Sequence, residues 1–322
     1  MSPEKTTFAI KNEREMKAKG YLMAALAAAS YGTNPLFAIH LYENGMNANS
    51  VLFFRYVLGL PLLALMLIAR GHSLRLRASE FGSVAILGIL MAFSSLTLFE
   101  AYNYMNAGIA STLLFVYPVM VALMMIFIFH EEFHPSIGLC LLIMAGGLIL
   151  LMRGDVSGNI SIFGVTLVIL SSLTYAVYLV MVNVSKTISR IPTLKLLFYV
   201  LLTGCSVFIF MIPMGNPLIL PSSAADWGNV CALAIIPTIF SLTCTTVAIK
   251  NVGSTVTAIF GALEPVTALA ISIFALGQPV TGKELGGAVL ILIATTMVVA
   301  SSRIDTVLLR VRKMFPRRRS RH

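Results

Sequence analysis

The sequence predicts an all-α integral membrane protein: ten transmembrane helices in two inverted-topology repeats of five, with both termini cytoplasmic. Three observations predict it. Of the 322 residues, 58% are hydrophobic and 11% charged, with a mean hydropathy of +0.90. A soluble domain carries roughly 25% charged residues, so this chain lacks a polar coat for water and its solvent must be lipid. The Lys and Arg residues gather in alternate connections, and the sequence matches itself at a fixed offset.

Ten apolar runs, each near the roughly 20 residues that a spanning helix needs, can be marked in order. They are 20–41, 49–69, 81–104, 107–129, 136–152, 161–184, 194–214, 227–249, 253–276 and 284–301. The first follows basic residues and contains Ala27-Ala28-Ala29, a small-residue stretch of the kind found at signal-peptide cleavage sites. Its apolar character continues to Leu41, so it is read as a retained span.

The connections test the order. With the N-terminus inside, the segments 1–19, 70–80, 130–135, 185–193, the junction at Lys250, and 302–322 are cytoplasmic. Together with Lys195 they hold 20 of the 23 Lys and Arg residues, and the outer segments hold only Arg153 and Lys283. That asymmetry is the positive-inside pattern. The formal charge of +10 would suit a nucleic-acid partner in a soluble protein, but no soluble domain carries it here. Val311 to Arg321 alone contains Arg312, Lys313, Arg317, Arg318, Arg319 and Arg321, a cluster suited to anionic lipid head groups. Cys140, Cys205, Cys231 and Cys244 lie in apolar stretches without metal or pairing spacing, and read as small packing residues.

Shifting the sequence by 147 aligns Ala101 with Ala248, Pro118 with Pro265, Val119 with Val266, Ile126 with Ile273 and Phe127 with Phe274. The fourth and ninth runs therefore correspond, which divides the chain into a tail 1–19, a first repeat 20–152, a linker 153–160, a second repeat 161–302 and a basic tail 303–322. Five helices is an odd number, so the second repeat enters the membrane in the opposite sense. Two like halves of opposite orientation can exchange conformations and expose one site to either side in turn. A scaffold or receptor has no need of that arrangement.

These features resemble the drug/metabolite transporter superfamily, specifically its EamA-type members with ten helices. The matching residues are Phe53-Phe54-Arg55-Tyr56, the stretch from Ala101 to Pro118, Leu263-Glu264-Pro265-Val266, and Glu131 thirteen residues beyond Pro118. Gln278 departs from the family pattern, which commonly has Glu there. The resemblance implies a multi-pass protein of the cell (cytoplasmic or inner) membrane that moves a small metabolite, amino-acid-like or similar, in the manner of an exporter. It implies no cofactor. Fold likeness does not name a substrate.

Charges inside spans are costly and are candidates for function. Glu264 lies near the middle of its run, and Arg55 and Glu100 nearer the outer ends of theirs. Pro265 and Pro118 lack amide hydrogens and so release the carbonyls of Gly261 and Leu114 from their helical partners. Such interruptions at mid-membrane point to a site between repeats, where the carbonyls meet a polar cavity or protein partners. Glu264 is expected to face that cavity and either bind a cationic part of the substrate or exchange a proton. Tyr31, Asn34 and Pro35 in the first run, Glu100, Asn103 and Tyr104 in the third, and Ser171, Tyr175 and Tyr178 in the sixth complete a candidate polar lining. Polar side chains also join transmembrane helices by simple hydrogen bonds.

His130-Glu131-Glu132-Phe133-His134 satisfies the zinc-peptidase pattern H-E-x-x-H. It falls at a helix junction, and Pro135 disfavours helical geometry at His134. With no third ligand evident, no metal site is assigned and an intramembrane peptidase is the lesser reading. A non-transporting sensor or assembly protein is a third class, but it lacks a soluble domain. No phosphate-binding loop is present, so energy would come from a substrate or proton gradient. The sequence sets no oligomeric state.

Overall fold

The computed structural model describes residues 3–71, 73–129, 135–154, 161–252, 257, 260–294, 296 and 297. Among them every regular element is helical: α1 (Pro3–Tyr31), α2 (Asn34–Glu43), α3 (Ala48–Ala69), α4 (Ala78–Ala101), α5 (Ala107–Leu114), α6 (Tyr117–Phe129), α7 (Pro135–Gly154), α8 (Ile162–Val184), α9 (Thr193–Met211), α10 (Ala224–Leu233), α11 (Ser241–Val252), α12 (Leu263–Phe274) and α13 (282–294). A π-helical segment, Ala234–Phe240, joins α10 to α11. The described residues contain seven stretches long and apolar enough to cross a bilayer, and α12 is a shorter apolar helix.

Local chemistry sets the helix ends. Asn47 starts α3 by accepting the Ser50 amide at 2.8 Å. Asn106 starts α5 by accepting the amides of Gly108 and Ile109 at 2.9 and 3.2 Å. Ser223 and Asp226 cap α10 reciprocally, and Thr281 and Glu284 do the same for α13. Each cap satisfies backbone donors that lipid would leave unpaired.

The two halves of the chain are interleaved. α4 packs between α8 and α9, α1 lies along α11, α3 along α9, and α5 against α12. Lipid supplies no hydrophobic drive between helices, so close contact depends on small residues. A side chain at Gly88 of α4 would stand 2.7 Å from the Val200 carbonyl of α9, and one at Gly204 of α9 only 3.2 Å from the Gly88 carbonyl. The two glycines let those helices touch. Ser94 and Ser171 clasp α4 to α8 through their hydroxyls and carbonyls, at 2.7 to 3.1 Å. The outward faces are apolar. Phe127 and Phe274, which correspond in the 147-residue repeat, are 74% and 85% exposed.

Among the described residues four spans are interrupted. Between α1 and α2 the chain turns at Gly32 and Thr33, with Pro35 in the first turn of α2. Between α5 and α6 it turns at Phe115 and Val116, just before Pro118. The π-helical segment holds Pro237. Gly261 and Ala262 turn just before α12, whose third residue is Pro265.

Candidate functional site

The interruptions converge on one cavity of about 290 Å³. Each brings side chains to it that an unbroken helix would aim elsewhere. Tyr31 ends α1, Tyr117 begins α6, and Ser241 follows the π-helical segment. Gly261 and Glu264 flank the start of α12, and all five line the cavity. α4 adds Ser94, Ser95 and Phe99, and α8 adds Tyr175.

The break in α1 is shaped by its neighbour. A side chain at Gly32 would meet the Glu264 carbonyl at 2.5 Å and Cβ of Thr267 at 2.8 Å. The backbone of α12 therefore runs directly against the turn, which holds Tyr31 and Glu264 at the same level. Both carbonyls released by proline find partners within the protein. That of Leu114 accepts the Ser172 hydroxyl at 3.0 Å, and that of Gly261 accepts the Glu264 amide at 3.0 Å in a tight turn.

Glu264 is half-buried with its side chain on the cavity, and among the described residues its carboxylate has no hydrogen bond or ion pair. Arg55 is 4% exposed and takes no carboxylate partner among the described residues, neither Glu100 nor Glu264. Its Nε donates to Oγ1 of Thr238 at 2.7 Å, and its guanidinium lies over the Phe99 ring at 5.6 Å, a cation–π distance. Thr238 in turn donates to the Leu233 carbonyl at 2.9 Å, which uses the looser turn that Pro237 imposes on the π-helical segment. Arg55 thus sits behind Phe99, at one end of the cavity. Tyr31 is within electrostatic reach of both Arg55 and Glu264.

Tyr117 and Tyr175 continue the wall, and Tyr178 backs it. Tyr117 meets Tyr175 at 4.8 Å and 79°, and Tyr175 stacks on Tyr178 at 6.0 Å. The turn after α2 and the start of α3 are tied to α9, α10 and the segment between them. Nδ2 of Asn44 donates to Oδ1 of Asp226 at 2.6 Å and Nδ2 of Asn47 to the Pro217 carbonyl at 2.9 Å. Nδ2 of Asn49 reaches the carbonyls of Phe208 and Asn216, both at 3.1 Å. These bonds join the first half of the chain to the second.

The other residues singled out from sequence are placed differently. Helix α4 ends at Ala101, so Asn103 and Tyr104 lie in the turn beyond it and are exposed. Tyr104 packs on Phe163 at 4.9 Å. Glu100 is half-buried at the end of α4, outside the cavity lining. Asn34 is buried, donates to the Tyr31 carbonyl at 2.8 Å, and finds no partner for its Oδ1 among the described residues. Residues 130–134, the zinc-like motif, and the tail from 301 lie outside the described residues. Among the described residues no three His, Cys, Asp or Glu side chains gather as a metal site. Thr238 was not singled out from sequence, although Pro237 in mid-run is the same signal that marked Pro118 and Pro265.

Comparison with known proteins places this arrangement. The model of the EamA-like transporter family matches residues 18–153 and again 162–300. No curated protein matches the chain. Twenty-eight chains of known structure match it. One of them, described only as a crystal structure of a protein, is similar with a TM-score of 0.64 and 18% identity, over 89% of this chain and 98% of its own. At that identity the likeness is one of fold.

Proposed function

The chain belongs to the EamA-like transporter family, and from that premise we propose that it is a secondary transporter or facilitator moving a small metabolite across the cytoplasmic membrane by alternating access. The observation that carries this reading is a cavity at which four interrupted spans meet among the described residues, with the carboxylate of Glu264 on its wall. Interrupted helices supply backbone and side-chain polarity at a depth where an unbroken helix offers neither.

In this reading ten helices form two five-helix repeats, 20–152 and 161–302, of opposite insertion. The tails 1–19 and 303–322 are cytoplasmic, and the second rests on anionic head groups. The end that carries Asn44 and Asp226 is then the outer one, and their contact is taken to close it. The lining residues Ala24, Leu179 and Thr245 fall in the halves of their spans that lead to cytoplasmic connections, so the cavity is reached from inside. Loading from the cytoplasm followed by parting of the Asn44–Asp226 contact would give export, the direction that the family resemblance also suggests.

The test compares metabolites in the medium of cells producing the wild type, Glu264→Gln at matched membrane level, or neither. A compound enriched with wild type alone is the expected result. Profiles identical in all three would count against transport, and enrichment by both proteins would remove Glu264 from the mechanism.

A further inference from the structure

Resting on that reading, the cavity also narrows what it can carry. We propose that the substrate is a compact organic cation, an amine or quaternary ammonium on an apolar body, bound without a carboxylate or phosphate of its own.

The charge inventory comes first. The described lining holds one ionisable carboxylate, Glu264, and no Lys, Arg or His. A carboxylate at mid-membrane is retained where something offsets its desolvation, and no described side chain does so here. The nearby cation is withdrawn. Arg55 is buried behind Phe99, with its Nε committed to Thr238 at 2.7 Å and its face to the Phe99 ring. Arg55 is not among the residues that line the cavity, so it offers an anionic group of a substrate no direct contact there.

The walls supply the second half of a cation site. Tyr31, Phe99, Tyr117 and Tyr175 all line the cavity. The rings of Tyr117 and Tyr175 stand at 79° to one another, so they form a corner in which one ring offers its face where the other offers its edge. Aromatic faces attract alkylammonium groups, more strongly where water is excluded. Glu264 shares this wall, which places a carboxyl group beside the rings. The rest of the lining mixes the hydroxyls of Ser94, Ser95, Ser241 and Thr245 with apolar side chains such as Ala24, Ala28, Met91, Leu98 and Leu114, and the latter suit the apolar body. A volume of about 290 Å³ is at the low end of the roughly 300–1,000 Å³ typical of small-molecule pockets, which favours a compact substrate.

The experiment uses purified full-length protein and three probes that differ in charge: phenethyltrimethylammonium, phenylalanine and 3-phenylpropanoate. Binding is followed by calorimetry in detergent, and exchange by counterflow in phosphatidylcholine vesicles. The cation is expected to bind about tenfold or more tightly than the zwitterion or the anion, a margin a desolvated cation–π and carboxylate site can supply. Glu264→Gln should lower cation binding by about tenfold or more, Glu264→Asp should retain part of it, and Tyr175→Leu should cost about threefold. The charge series is read on the wild type, so it stands even if a variant fails to fold. Equal or tighter binding of phenylalanine or phenylpropanoate, or no binding of the cation, overturns the proposal. Counterflow of either of those probes would keep the transporter reading while overturning the substrate class. Cation binding without counterflow would keep the class and sink transport.

Discussion

The turn at Gly32 offers the sharpest test of how the site is assembled. Replacing Gly32 with Ala places a methyl carbon 2.5 Å from the Glu264 carbonyl and 2.8 Å from Cβ of Thr267. The first contact is with backbone, which cannot rotate away, so α1 and α12 must separate. Overpacking of this kind costs about 1–3 kcal/mol. Gly146 of α7 is the matched control, since a methyl there meets nothing within 4 Å. In a helix interior Ala is favoured over Gly by about 0.5–1 kcal/mol, so Gly146→Ala should gain stability where Gly32→Ala loses it. Thermal unfolding in detergent can be followed with a thiol-reactive dye, because Cys205 and Cys244 are buried and Cys231 gives only a constant background. One kcal/mol shifts the midpoint by about 2–4 °C in chains of 150–250 residues and less in longer ones. Gly32→Ala should therefore unfold a few degrees below wild type and lose transport, because the displaced backbone is that of Glu264. A Gly32→Ala protein as stable and active as wild type would refute the close approach of the two interrupted spans.

Other outcomes follow from single contacts. Thr238→Val removes the acceptor of a buried guanidinium donor and should destabilise by about 1–3 kcal/mol, whereas Thr238→Ser should restore the midpoint in the same thermal assay. Ser172→Ala leaves the Leu114 carbonyl without its partner and should cost about 1 kcal/mol, measured the same way. Asn44→Ala breaks the contact with Asp226 and should make the cavity easier to reach from outside, which faster labelling of a cavity cysteine by an external impermeant maleimide would report.

Much of the fold was legible because lipid leaves so few options. A helix is the way a single chain segment can cross with its backbone satisfied, so apolar runs translate into helices with little ambiguity. Pro118 and Pro265 were legible as places where a helix loses a bond, because a missing amide hydrogen is a local fact. The partners of the released carbonyls were not legible, since Ser172 lies 58 residues from Leu114. Glu264 stood out because an intramembrane charge is costly wherever it falls. For Arg55 the cost was visible but the remedy was not: Thr238 is 183 residues away, and its availability depends on a π-helical turn that no spacing rule announces. The stripe of Glu100, Asn103 and Tyr104 assumed a helix running to residue 104. The chain instead turns after Ala101, and the shared face is lost. Periodicity shows which residues share a face, but packing decides where the face points.

Alternating access is tested most directly at Thr245, which lines the cavity on the side away from the Asn44–Asp226 contact. In a chain whose native cysteines are replaced, Thr245→Cys would be exposed to an impermeant maleimide in inside-out and right-side-out vesicles. Labelling from the cytoplasmic side, with slower labelling from outside that quickens in an Asn44→Ala background, is the expected result. Labelling from one side alone, unchanged by Asn44→Ala, would make the cavity a dead end and contradict a transport pathway.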